Sequence, residues 1–224
     1  AGVSEFVAEV FEKTGIRIEV ISPRKEAELT AKGVCRFLPG LSDALILDIG
    51  GGSTEWITIG EGRLLACGSI PVGVVKLSTA AEGLDETAAR RLLDAKCSCF
   101  AGELRRQAAP LPERASFVLT GGTGSALACL DLGLENYDHG LIHGRVIAVE
   151  RLREIFERLK GLGIEERKHL RGLPPDRADL IIPGAGLTIY VMAAFPFDSL
   201  TVSDTGLPEG LLIELSEKTG DEQV

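Results

Sequence analysis

Apolar and polar positions change period several times along the chain, and each change predicts an element. Residues 3–14 (VSEFVAEVFEKT) place apolar side chains at helical spacing and are followed by Gly15, which predicts a short amphipathic helix. Residues 16–22, IRIEVIS, alternate as a strand does. Pro23 suits the first turn of a helix, and RKEAELTAKGVCRFL resumes helical spacing as far as Pro39-Gly40. Three strands follow in quick succession: ALILDI (44–49), TEWITI (54–59) and RLLACGSIP (63–71). Gly60-Glu61-Gly62 is a tight hairpin turn between the second and the third.

After this meander helical and strand patterns alternate. VGVVKLSTA is a short helix, and residues 84–108 form a long one opened by Asp85 as N-cap. SFVLTGG (116–122) reads as a buried strand running into glycines, with the helix TGSALACLDLG behind it. A further helix starts near Ala148. Residues 176–195 read as a helix pair, or one helix broken at Pro183-Gly184, and 200–218 as a strand, a turn and a last helix. From residue 44 the order is therefore an antiparallel meander followed by alternating helices and strands. That predicts an α/β fold, ribonuclease H-like as in each half of actin-like ATPases, with a mixed five-stranded sheet flanked by helices.

Composition narrows the function classes. The apolar share of 45% and charged share of 25% are those of an ordinary globular protein. No apolar run approaches the length of a membrane span, so no membrane partner is expected. The net charge of −9 argues against nucleic acid as a partner. A phosphate ligand would then need a divalent cation or a locally positive backbone site. Cys35, Cys67, Cys97, Cys99 and Cys129 contain no C-x-x-C, which fits reduced thiols and a cytoplasmic location. Cys97 and Cys99 fall on different faces of their helix, and His139, His143 and His169 form no recognisable ligand set.

Candidate chemistry concentrates in LILDIGGGSTEWITIG. Asp48 ends one strand, Glu55 begins the next, and Gly50-Gly51-Gly52-Ser53 turn between them. Glycine amides can wrap an anionic oxygen because no Cβ blocks the approach, and Ser53 and Thr54 add hydroxyls. Two carboxylates beside such a cradle are suited to holding Mg²⁺. A second candidate is the strand-to-helix turn at Gly121, Gly122 and Thr123, where exposed amides favour anions, although an ordinary turn would look the same. Asp204, in SDTGLPEG, is either a third such element or only a helix cap. Glu26 lies on a charged helix face, which by residue chemistry alone is ordinary solvation.

Together these segments resemble the Ppx/GppA family of exopolyphosphatases and guanosine pentaphosphate phosphohydrolases. IEVISPRKEAEL is similar to that family's I-[ED]-[VI]-I-S-G-x-E-E-A-x-L, and LILDIGGGSTE is nearly identical to its V-x-D-I-G-G-G-S-T-E loop. LTGGTGSALA, HGRVI, PGAGLTIYVM and LTVSDTGLPEGLL follow in the family's order. The resemblance implies hydrolysis of terminal phosphoanhydride bonds of polyphosphate or of pppGpp. It implies Glu26 as the catalytic glutamate, Asp48 and Glu55 as metal ligands for Mg²⁺ or another divalent cation, and Gly50–Ser53 as the phosphate cradle. Pro23 and Lys25 depart from the pattern, standing where the family has glycine and glutamate. The family's other loop, D-x-G-S-N-S, does not occur in the sequence. Residues 1–22 are accordingly expected to be the remnant of an N-terminal domain, 23–39 an interdomain helix and 40–224 the ribonuclease H-like domain. An orphan strand at 16–22 would leave that end poorly anchored or paired with a second copy, giving a homo-oligomer. With half of the expected phosphate clamp absent, the chain is expected to hydrolyse weakly or to act as a non-catalytic polyphosphate-binding module.

Overall fold

A mixed sheet of six strands, ordered β3-β2-β1-β4-β6-β5, forms the centre of the fold. The structure, a computed structural model, describes residues 2–108 and 110–221. Helices α1 (Val3–Thr14) and α2 (Pro23–Phe37) precede the meander of β1 (Ala44–Ile49), β2 (Thr54–Gly60) and β3 (Arg63–Ile70). Next come α3 (Val74–Ala81), α4 (Glu86–Ala108), β4 (Ser116–Thr120), α5 (Gly121–Leu132), α6 (His139–Ile142) and β5 (Val146–Ala148). The chain continues through α7 (Val149–Lys160), α8 (Ile164–Lys168), a 3₁₀ turn (Pro175–Arg177), α9 (Ile181–Ala194), β6 (Ser199–Ser203) and α10 (Leu207–Asp221). Strands β1, β4 and β6 run parallel, and β2, β3 and β5 are antiparallel to their neighbours.

The strand β1 shows why ALILDI is an unbroken apolar run. Leu45, Leu47 and Ile49 face the larger core built with α4, α5, α7 and α9, while Ala44 and Ile46 face α2. A central strand covered on both faces has no solvent side to mark with polar residues. The hairpin between β2 and β3 pairs Gly60 with Arg63, leaving Glu61 and Gly62 as the turn, both at positive φ (51° and 71°). This is the dihedral pattern of a type I′ turn, and glutamate is strained there. Glu61→Asn is expected to stabilise the chain by about 0.5–1 kcal/mol in urea denaturation, because asparagine tolerates the left-handed region.

Three expectations need correction. The sheet has six strands instead of five: the ribonuclease H order is complete in β1–β4 and β6, and β5 is an added edge strand of three residues. Its short exposed-buried-exposed alternation was too brief to separate from the helix behind it. Residues 15–22 form no strand. No described strand lies beside them, and an isolated strand has no ladder to hold it. The segment 181–194 is one helix, unbroken at Pro183. Pro183 occupies the first turn, where its missing N–H has no intrahelical acceptor to lose.

Two glycine contacts fix how α2 lies against the rest. A Cβ on Gly210 would be 1.8 Å from the carbonyl oxygen of Leu29, and one on Gly33 would be 2.0 Å from that of Gly206. Helices α2 and α10 thus meet backbone to backbone. Lys25 pairs with Glu214, and Lys32 with Glu217. His143 ties the far end of α2 down, donating from Nε2 to the Phe37 carbonyl (2.8 Å) while its Nδ1 accepts from the Asp204 amide (3.2 Å). Those two bonds define a neutral imidazole.

Candidate active site

The sheet brings Asp48 and Glu55 face to face, because they are direct partners in the β1–β2 register. Asp48 also lies beside Thr120 in the parallel pair β1–β4, at the carboxyl ends of both strands. In an open sheet of this kind, that end is where loops diverge and ligands sit. Gly121 follows at φ 75°, and a Cβ there would come within 2.4 Å of Asp48 Oδ1. Glycine at 121 is therefore required both by the backbone angle and by the closeness of the carboxylate.

Gly50, Gly51 and Gly52 are at ordinary φ, and their use is different. The carbonyls of Gly50 and Gly51 accept from the amides of Val74, Val75 and Lys76, so the glycine turn caps the N-terminus of α3. A Cβ on Gly73 would lie 2.5 Å from the oxygens of both glycines. With its carbonyls turned to the helix, the turn leaves the amides of Gly51, Gly52 and Ser53 without a backbone acceptor among the described residues. Gly122 and Thr123 lie in the first turn of α5, where backbone amides have no acceptor four residues back within the helix.

The side chains divide by role. Ser53 and Ser69 both donate to Glu55 Oε1 (2.7 and 2.8 Å), which orients that carboxylate. Thr54 is buried and donates to the Val72 carbonyl (2.7 Å), so its hydroxyl holds the turn and is not an open donor. Thr123 is buried against Gly184 of α9. Glu26 sits in the first turn of α2, which Ser22 caps by accepting from the Lys25 amide (3.2 Å). It is close enough to act electrostatically on Asp48. Lys25 is directed away, to Glu214, whose pKa its hydrogen bond helps lower to about 2.

Asp48 titrates at about 6, because burial disfavours its charged form and the negative charges of Glu55 and Glu26 add to the effect. Glu26, Asp48 and Glu55 have no cationic partner among the described residues. Nor do three acid, thiol or imidazole groups there form a ready coordination set. Two facing carboxylates suit a divalent cation such as Mg²⁺, which takes one or two carboxylates and completes its shell with water and phosphate oxygens.

The sign of the Asp48 shift gives a stability prediction. Folded Asp48 keeps its proton up to about pH 6, whereas the ordinary value is 3.8, so between these values the folded state binds more protons. Stability therefore falls as pH rises through that window, and the loss is complete above it. The shift corresponds to about 3 kcal/mol. Asp48→Asn is expected to stabilise the metal-free chain by about 2 kcal/mol at about pH 8 and hardly at all at about pH 4, by urea denaturation in EDTA.

Two cations border the glycine turns, and sequence periodicity gave no reason to single out either. The Lys76 side chain passes Gly52, where a Cβ would be 3.8 Å from its Cε. Arg177 lies over Gly122, where a Cβ would be 2.1 Å from Nη2. Its guanidinium has no carboxylate partner among the described residues. Arg177 arrives through a Pro-Pro-Asp-Arg turn remote in sequence from both loops. Asp204 is no simple helix cap: it is buried and accepts from Ser125 (2.7 Å), Tyr137 and His139 Nδ1 (2.7 Å). All five cysteines are free thiols, with Cys97 buried and Cys99 exposed, as their spacing implied. Among the described residues no helix is long and apolar enough to cross a membrane.

Comparison with known proteins agrees with this architecture. Exopolyphosphatase 2 of Mycobacterium tuberculosis is 30% identical over 215 residues, covering 90% of this chain and 65% of that protein. The guanosine-5′-triphosphate,3′-diphosphate pyrophosphatase of Vibrio atlanticus is 29% identical, over 99% of this chain and 44% of that one. The chain thus spans between two fifths and two thirds of the curated relatives it matches. A Ppx/GppA family member from Aquifex aeolicus superposes with a TM-score of 0.84 at 27% identity, over 96% of this chain and 70% of its own. The fold is that of the actin-like ATPases, to which these structural neighbours belong. Since the sequence profile of the Ppx/GppA phosphatase family also matches residues 3–219, the chain belongs to that family.

Proposed function

We propose that these residues hydrolyse the terminal phosphoanhydride bond of polyphosphate or pppGpp. The observation that carries this reading is the meeting of Glu26, Asp48 and Glu55, three acids without a counter-cation, between two glycine turns with open amides. The terminal phosphate rests against the amides of Gly51, Gly52 and Ser53, with Gly122 and Thr123 across the sheet end. Lys76 and Arg177 balance its charge from either side. Glu26 holds the attacking water by hydrogen bond and takes its proton, as a general base. Asp48 and Glu55, the latter oriented by Ser53 and Ser69, would hold Mg²⁺ or another divalent cation, which when bound would supply charge neutralisation at the phosphate oxygens. The protein's contribution is then mostly positioning and electrostatics, as for phosphoryl transfer in general.

Both named relatives act on such bonds by their names, exopolyphosphatase in one case and a pyrophosphatase of a guanosine phosphate in the other. The test is release of phosphate from long-chain polyphosphate and from pppGpp with and without Mg²⁺. Release that needs the cation and disappears in Glu26→Gln supports the assignment. Binding of both substrates without release supports a non-catalytic phosphate-binding module instead.

A further inference from the structure

A cavity of about 510 Å³ opens between α3 and α4 on one side and α7, α8 and the start of α9 on the other. None of the residues around it belongs to the glycine turns, so it is separate from the phosphate site. Leu93, Leu159 and Ile182 give it apolar walls. Arg167 also lines it, and its Nε is the one buried side-chain polar atom among the described residues without a hydrogen-bond partner. The guanidinium forms no ion pair among those residues either. Burial lowers its pKa, and the negative charge of Asp179 offsets that only in part.

The charges around Arg167 decide what would complete it. Arg90 is already bonded to Glu86 and to the Lys160 carbonyl (3.2 Å), and Lys160 pairs with Glu157 (2.6 Å). Glu82 and Asp179, both exposed at the cavity's rim, have no cation within ion-pair distance among the described residues. Asp179 is near enough to act on Arg167 electrostatically and yet is not bonded to it. Opposite charges therefore face a common apolar hollow with a gap between them.

We infer that this cavity binds a free α-amino acid with an apolar side chain, its carboxylate on Arg167, its ammonium on Asp179 and its side chain against Leu93, Leu159 and Ile182. The arginine fork matches a carboxylate with two parallel hydrogen bonds. A simple carboxylate would meet Glu82 and Asp179 as like charges, and a simple amine would leave the half-buried guanidinium unpaired. A zwitterion satisfies both signs at once, and an aliphatic side chain gains from leaving water. The volume falls within the range of small-ligand pockets.

Leucine is the probe, titrated calorimetrically into the full chain. Two comparison compounds each lack one of its charges: 4-methylpentanoate has no ammonium and 3-methylbutylamine has no carboxylate. Leucine should bind at least about tenfold more tightly than either, since each charged hydrogen bond is worth about that much or more. Arg167→Gln and Asp179→Asn should each weaken leucine about tenfold or more. Asp179 is exposed and makes no hydrogen bond that the fold depends on, so its effect reads the site and not the stability of the chain. Affinity for leucine no higher than for 4-methylpentanoate or 3-methylbutylamine would overturn the zwitterion site. So would leucine binding that either substitution leaves unchanged, or no leucine binding at all.

Discussion

Replacing Gly210 by alanine is expected to cost about 3 kcal/mol or more of stability. Alanine in place of glycine inside a helix is ordinarily favourable by about 1 kcal/mol. Here the added methyl carbon would stand 1.8 Å from the Leu29 carbonyl oxygen, and the obstacle is backbone, which no rotamer change can relieve. The clash therefore outweighs the propensity. Helix α2 would have to lift away from α10, and that same helix carries Glu26 one turn before Leu29. The displacement is thus transmitted to the candidate base, and a shift of about 1 Å at a reacting group can cost about 100-fold in rate. Gly33→Ala should act in the same direction, because its Cβ would lie 2.0 Å from the Gly206 oxygen. Urea denaturation and phosphate release, measured on the same preparations, check both parts. A Gly210→Ala chain as stable as the parent would refute the backbone-to-backbone packing.

The second large effect is expected for Glu26→Gln. If Glu26 takes a proton from the attacking water, the amide, of almost the same size, should reduce phosphate release by about 10²–10⁴-fold. Substrate affinity should hold or improve, because one of three mutually repelling carboxyl groups has lost its charge. Relief of that repulsion should also bring the Asp48 pKa down, since Glu26 contributes to its rise. The combination separates a base from a mere structural acid. Loss of a structural acid would weaken stability and affinity together, whereas loss of a base lowers turnover and leaves affinity no weaker. An unchanged rate in Glu26→Gln would exclude the assignment.

Much of this architecture is legible in the one-dimensional pattern. Strand β1 is a continuous apolar run because both its faces are covered, and the turn to β3 is announced by Gly60-Glu61-Gly62. The D-I-G-G-G-S-T-E stretch contains its own geometry. A two-strand hairpin with a four-residue turn necessarily sets Asp48 opposite Glu55, and glycine in the turn leaves amides open. Such features depend on neighbours in sequence, and local periodicity reports local neighbours.

What the tertiary structure alone decided has the opposite character. Glu26 is brought near Asp48 with the help of Gly33 on α2 and of Gly206 and Gly210, far along the chain, which let α2 sink onto α10, and no spacing along the chain encodes that closeness. Thr54 read as a phosphate donor, whereas its hydroxyl is bonded to Val72, and Asp204, which in sequence could be a further glycine-turn element or only a cap, has three donors around it. Lys76 and Arg177 look like solvated surface charges in sequence. They become candidates for the proposed site because capping of α3 and a Pro-Pro turn fold them beside the two glycine loops. The short strand β5 exists because β6 offers it an edge, and residues 15–22 lack a strand because nothing described offers them one. The sequence by itself determined that Asp48 and Glu55 face each other across a glycine turn. Packing between distant segments decided which charges surround it, because electrostatic and steric contacts depend on distance in space and not on separation along the chain.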